Sequence, residues 1–166
     1  MTFASALRFY DVVVFLHIAA AITAFGVTFV YPLIVPLTAR SAPDKLPWLH
    51  TLQGEIGRKI ITPSAALVLL TGLYLALSGD GPFDLSDWWV GFGLLAILVI
   101  LGLGGAFFSP QEGRLGELAE RDWAAGELSE EYQALGVQVA RVGALSSLLV
   151  LVAVLFMVLG ARGVFT

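Results

Sequence analysis

Residues 12–35 read VVVFLHIAAAITAFGVTFVYPLIV, and only His17 among them carries a group that titrates near neutral pH. A hydrocarbon core about 30 Å thick is crossed by about 20 apolar residues in an α-helix, which rises about 1.5 Å per residue. A helix in a soluble core does not have to be apolar over such a length. This stretch therefore predicts a helix that spans a membrane.

Three further apolar stretches have the length of a membrane span. With the first, they cover residues 11–36, 60–78, 88–108 and 139–161. Hydrophobic residues make up 58% of the 166-residue chain and charged residues 13%, whereas about a quarter of the residues in a soluble domain are charged. We therefore predict an all-α fold, a four-transmembrane-helix bundle that forms a single integral membrane domain over residues 1–166.

The first connector predicts an additional helix. Apolar side chains recur there every three or four residues, at Leu46, Leu49, Leu52, Ile56 and Ile60. This amphipathic pattern is typical of an interfacial helix, which lies on the membrane surface. We expect His50, within the same stretch, to be an interfacial side chain.

The third connector predicts a helical hairpin outside the bilayer. Ser109-Pro110-Gln111-Glu112 has the order of a capping box, with proline at the first helical position, and indicates where a soluble helix begins. Ala125-Gly126 indicates the end of that helix, and Ser129 opens a last helix that continues into the fourth span. We expect the acidic run between residues 112 and 131 to be solvated.

Basic residues near the ends of the spans predict the orientation. The side with the first and third connectors carries seven, namely Arg40, Lys45, Arg58, Lys59, Arg114, Arg121 and Arg141. The side with both termini carries two, Arg8 and Arg162. Because connectors rich in lysine and arginine stay in the cytoplasm, we predict a multi-pass protein of the inner (plasma) membrane. Both termini would then lie outside, and connectors 1 and 3 would be cytoplasmic.

His17 is the residue to which a chemical role can be attached. It lies about 9 Å below the outer headgroups, where an ionisable side chain is costly and usually turns inward to a partner, a cavity or a cofactor. One interpretation is a ligand to haem b or to copper, because neutral imidazole suits both metals. The other is a neutral histidine that forms a hydrogen bond with a neighbouring helix, at Thr71 or Tyr74.

A metal site at His17 needs further ligands from elsewhere. His50, the other histidine, lies beyond the opposite end of the first span, most of a bilayer thickness of about 30 Å away, so the two cannot bind one metal within a single chain. A bis-histidine haem requires His17 from two copies. Met157 is the only deep side chain with a soft donor atom, although methionine in a span is more typical of packing.

The sequence lacks the residue patterns of several functional classes. It has no cysteine, which excludes disulfides, thiolate metal sites and covalently attached haem. It has no paired carboxylates within the spans, no nucleophile with a nearby base and no phosphate-binding loop. These absences argue against an enzyme and against a proton-driven transporter, and no run of lysine and arginine predicts a nucleic acid partner.

Small side chains predict close helix packing. One face of the first span carries His17, Ala20, Ala21, Ala24 and Thr28. Gly102 and Ala106 form a small-xxx-small pair in the third span. Our main functional hypothesis is therefore a non-enzymatic membrane protein that acts through self-association (a homo-oligomer) or through a membrane protein partner. The alternative is a membrane protein that binds haem b or copper through His17, in cofactor handling or electron transfer.

Several stretches resemble a family of bacterial predicted integral membrane proteins, domain-of-unknown-function family 2269. They are Phe15-Leu16-His17-Ile18-Ala19-Ala20, Phe25-Gly26, Arg58-Lys59-Ile60-Ile61-Thr62-Pro63, Thr71-Gly72-Leu73-Tyr74 and Trp88-Trp89-Val90-Gly91. That family has no settled activity. The Leu-His start of the first span is also similar, more distantly, to the membrane domain of copper-resistance protein D and to the membrane protoporphyrinogen oxidase of the HemJ type. This likeness implies a metal or haem role for His17, although Ala24-Phe25-Gly26 stands where a tryptophan is common.

Overall fold

The computed structural model describes residues 8–165, and all regular structure in this range is helical. The α-helices are α1 (Phe9–Phe25), α2 (Tyr31–Ser41), α3 (Leu46–Ile56), α4 (Thr62–Leu77), α5 (Trp88–Leu103), α6 (Ser109–Ala125) and α7 (Glu130–Ala161). Short 3₁₀ turns (Gly26–Phe29, Pro43–Lys45) and π turns (Gly57–Ile61, Gly104–Phe108) join several of them. The all-α prediction is confirmed for this part of the chain.

Four continuous helical runs are long and apolar enough to cross a membrane. They are Phe9–Ser41, Pro43–Leu77, Trp88–Ala125 and Glu130–Ala161, and each overlaps one predicted span. An α-helix satisfies its backbone hydrogen bonds internally, as hydrocarbon requires. The fold therefore supports a multi-pass integral membrane protein. Which membrane it occupies, and which end faces the cytoplasm, stay predictions.

The second and third spans join the connector helices without a break. α3 continues into α4 through the π turn Gly57–Ile61, where the Thr62 hydroxyl donates to the Gly57 carbonyl at 2.9 Å. α5 continues into α6 through the second π turn. The predicted capping box at Ser109 is therefore wrong, because Phe108 already has helical backbone angles and no side chain caps α6 there.

In the apolar part of the bundle the helices pack in the order α1, α4, α5, α7. Ala20, Ala24, Ala65, Val68 and Ile97 form a buried core there. Ala20 and Ala24 belong to the predicted small-residue seam of the first span, which lets α1 and α4 approach closely. α7 comes near the first span at the turn Gly26–Phe29.

A second core lies at the end of the bundle built by α3, α6 and the first turns of α7, which we call the connector end. It consists of Leu46, Leu115, Leu118, Ala119, Tyr132 and Leu135. The helix predicted for the first connector is present as α3, and it packs against α6. Its place on the membrane surface stays a prediction. We call the opposite end, with residues 8–11, 78–87 and 162–165, the terminal end.

The helical hairpin predicted for the third connector is present. Gly126, with a φ of 89°, ends α6 in a left-handed conformation that glycine adopts at little cost. Ser129 caps α7 by accepting a hydrogen bond from the amide of Tyr132. Both boundaries lie where the sequence predicts them. The location of the hairpin, outside the bilayer and in the cytoplasm, stays a prediction.

Candidate functional site

An apolar cavity of about 630 Å³ lies among α1, α4, α5 and α7. Its volume falls within the range of small-molecule sites, roughly 300–1,000 Å³. Among the described residues that line it, His17 is the only one whose side chain carries a nitrogen or oxygen atom. Met157 lines the same cavity from α7. The structure therefore brings together the two side chains that the sequence singles out as deep donors.

Two glycines in the cavity wall make room for these two side chains. A Cβ atom at Gly72 on α4 would lie 3.1 Å from Cε1 of His17, which is tighter than ordinary van der Waals contact. A Cβ atom at Gly93 on α5 would overlap the terminal methyl group of Met157. A side chain at position 72 would require the imidazole to shift by a few tenths of an ångström, whereas the flexible Met157 could move its methyl group aside.

The protonation of the His17 ring follows from its hydrogen bonds. Its Nδ1 atom lies 3.0 Å from the Thr71 hydroxyl oxygen, and that oxygen lies 2.6 Å from the Leu67 carbonyl oxygen. A hydroxyl has one hydrogen, and the Leu67 carbonyl can only accept. Thr71 therefore donates to Leu67 and accepts from Nδ1–H, which we assign from this network as the protonated nitrogen.

The second ring nitrogen, Nε2, has no side-chain partner among residues 8–165. The ring also forms a hydrogen bond with the backbone carbonyl of Val68, a group to which the Thr71 hydroxyl lies within 3.2 Å. Nε2 of this tautomer therefore carries a lone pair with no protein side chain to engage it. Metal-binding histidines have this arrangement, in which the other ring nitrogen donates to a fixed acceptor.

The hydrogen bond between His17 and Thr71 was one of two alternatives for the histidine, and it is present. Tyr74, the other predicted partner, instead packs its ring edge-to-face against Phe9 with centroids 5.6 Å apart. This bond engages only one ring nitrogen, so it is compatible both with a structural histidine and with a ligand. The geometry therefore leaves the role of Nε2 open to an occupant of the cavity.

His50 does not belong to this cavity, and its place at the membrane interface stays a prediction. It is only 2% exposed at the connector end. Its Nδ1 lies 2.8 Å from Glu112 Oε2 and its Nε2 lies 2.9 Å from the Tyr132 hydroxyl, so the ring joins α3, α6 and α7. Burial, with Glu112 adding to it, raises the pKa of Tyr132 to about 12. Sequence reasoning missed this cluster, and Glu112, expected in a solvated run, is part of it.

No group of three or more histidine, cysteine, aspartate or glutamate side chains that could hold a metal ion occurs within residues 8–165. A metal at His17 would therefore need a ligand of another kind, or the framework of a cofactor.

Comparison of the chain with protein-family models, with curated proteins and with solved structures finds no match. The resemblance to family 2269 and to the haem- and copper-linked proteins therefore stays a prediction. The fold defines the class as a helical, multi-pass membrane protein, and its most distinctive feature is an apolar cavity with one histidine in the wall.

Proposed function

We propose that this membrane protein binds haem b in the apolar cavity, where His17 would hold it. One observation carries the proposal: His17, whose Nδ1 bonds to Thr71 and whose Nε2 has no side-chain partner among residues 8–165, lies in the wall of a cavity of about 630 Å³. Neutral imidazole is a common ligand of haem iron, and the bond to Thr71 orients the ring for this role.

The size and chemistry of the cavity favour haem over a copper ion. A bare ion would leave most of the volume empty and would find only His17 and Met157 as side-chain donors in the wall. A flat macrocycle fills apolar space and brings four nitrogen donors with it.

Each of the residues around the cavity would have a separate role in binding the haem. Thr71 holds the ring of His17, and Gly72 leaves space for it beside α4. The apolar wall excludes water, and Met157 offers a second donor atom. When bound, the haem iron supplies one-electron redox chemistry, whose potential depends on its axial ligands and on burial.

The proposal is tested by the visible absorption spectrum of protein purified from its own membrane. We expect an intense haem band in the wild type and its loss in His17→Ala. Thr23→Val is the matched control, because Thr23 lies on the same helix, is exposed and does not line the cavity. A colourless wild-type protein that does not change when haem is added would refute the proposal.

Self-association is a second candidate function, favoured by the surface of the third span. Gly102, Gly105 and Ala106 are exposed, and a Cβ atom at either glycine would meet nothing within 4 Å. In the most apolar 18-residue stretch of α7, no residue is buried by contacts within the chain. Small exposed residues let a second helix approach closely. Gly102→Leu should then lower the mass of the detergent-solubilised protein, and a wild type that is strictly monomeric would contradict this candidate.

A further inference from the structure

The cavity exists because the first and last spans are not packed against each other along their length. α1 packs on α4, α4 on α5 and α5 on α7, so the four helices form an open row. α7 approaches the first span at the turn Gly26–Phe29. Between this turn and the terminal end, α1 and α7 face each other across the cavity, and side chains of both helices line it.

The rim of this gap consists of side chains that line the cavity and are also exposed on the surface of the bundle. They are Ile18, Ile22 and Phe29 on the first span and Leu151, Val154 and Val158 on α7. We call these six residues the lateral rim. Ile22 is 68% exposed and Leu151 54%, so the rim is not closed by contacts within the chain. All six residues fall within predicted spans, at a depth where the surroundings are hydrocarbon.

The two ends of the cavity that would face water are packed. At the terminal end Tyr10, Val13 and Leu75 form a buried cluster with Phe83 against it, and Trp89 is buried beside it. Towards the connector end, the turn Gly26–Phe29 packs against α7, so the first and last spans meet there. A molecule in water therefore meets packed side chains, whereas a molecule in the bilayer meets the rim.

We propose that the cavity is filled from the lipid phase through the lateral rim, and that its ligands are therefore molecules that partition into the bilayer. This inference rests on the proposed function for the identity of the ligand as haem b, and on the gap between α1 and α7 for the route. It restricts the ligand class to flat, largely apolar molecules with one group that bonds to Nε2 of His17. Hydrated metal ions are excluded as direct ligands, because an ion is not soluble in hydrocarbon.

The route is tested with a probe that does not depend on haem. A small apolar diazirine dissolved in liposomes that contain the protein is photolysed, and the labelled residues are identified by mass spectrometry. Ala96 and Ile97 line the cavity yet are 5% and 6% exposed, whereas Leu98, the next residue on α5, is 53% exposed and outside the lining. We expect label at Ala96 or Ile97 as well as at Leu98.

Substitutions that obstruct the rim decide how the probe enters. Ile22→Trp and Val154→Trp, each on an exposed rim position, should remove the label from Ala96 and Ile97 and leave the label at Leu98 unchanged. Leu16→Trp and Leu155→Trp are the matched controls, since both residues are exposed on the same helices but do not line the cavity. Label at Leu98 alone in the wild type, or cavity label that persists in both rim variants, would overturn the lateral route. The haem spectrum is measured separately, so failure of haem binding and failure of the route are distinguishable.

Discussion

Nδ1 of His17 lies 3.0 Å from the hydroxyl oxygen of Thr71, so one hydrogen bond ties α1 to α4 within the apolar part of the bundle. The bond fixes both the tautomer and the orientation of the ring, because Thr71 is itself held by the backbone of α4. Its consequences can be measured in the affinity for haem and in stability.

Thr71→Val should weaken haem binding by about 10–100-fold, the usual effect of removing a group that orients a metal ligand. It should also lower the free energy of unfolding by about 1 kcal/mol through the lost hydrogen bond. Thr71→Ser keeps the acceptor and should retain most of the affinity. Haem titration in nanodiscs measures the change, and equal affinities for the valine and serine variants would show that Thr71 does not position the ring.

Gly160→Ala should destabilise the bundle by about 1–3 kcal/mol, the usual cost of overpacking. A Cβ atom at Gly160 would overlap the indole of Trp89, which is 1% exposed and cannot move aside easily. Gly143→Ala is the matched control on the same helix, because a Cβ atom there meets nothing within 4 Å. Thermal unfolding in detergent compares them, and equal melting temperatures would contradict the close packing of α7 on α5.

Acid should loosen the turn between α6 and α7. The Ser129 hydroxyl and backbone amide donate to Asp122 at 2.6 and 2.8 Å, and these bonds hold the pKa of Asp122 below its ordinary value of 3.8. A carboxyl group with a lowered pKa in the folded state stabilises the fold above its ordinary pKa. That stabilisation is lost as the pH falls through the lowered value.

Hydrogen exchange of the amides at residues 126–129 measures this effect. Protection should fall below pH 3.8 in the wild type, and Asp122→Asn should remove most of this pH dependence. Glu127→Gln changes an exposed carboxylate in the same turn and should leave the dependence intact. If the two variants behave alike, Asp122 is not the group responsible.

His50→Ala should destabilise the connector end by about 2–3 kcal/mol, because it removes two hydrogen bonds and leaves the buried Tyr132 and the half-buried Glu112 without their partner. Tyr132→Phe removes only one hydrogen bond and should cost about 1 kcal/mol. Limited proteolysis between residues 109 and 135 reports on this end, while the haem spectrum should stay unchanged. If His50→Ala lost the haem band while the hairpin stayed intact, the haem would need a ligand at the connector end, and this would contradict the proposed site at His17.

The spans and His17 could be predicted from the sequence because polar groups are costly in hydrocarbon and long apolar runs are therefore a strong local signal. Thr71 could be named as one of two partners because depth in a span follows from the rise per residue. The cavity could not be predicted. The cavity depends on which two helices do not pack against each other. Within its predicted span α7 is apolar on all sides, so its sequence does not indicate which face packs against another helix.

The connector end shows a second limit of prediction from the sequence. Ser109-Pro110-Gln111-Glu112 has a local capping pattern, yet α5 continues through a π turn and Glu112 bonds instead to His50, which is 62 residues away in the sequence. A pattern of four residues does not contain such a distant partner. The pairing is decided by the packing of α3 against α6, which brings His50 and Glu112 together.

The central claim, that Nε2 of His17 is the atom that bonds to a ligand in the cavity, is tested most directly by chemical rescue. His17→Gly should lose the haem absorption band, and added imidazole should restore it by filling the space of the missing ring. A wild type without the band, or a His17→Gly protein whose band is the same with and without imidazole, would contradict the claim.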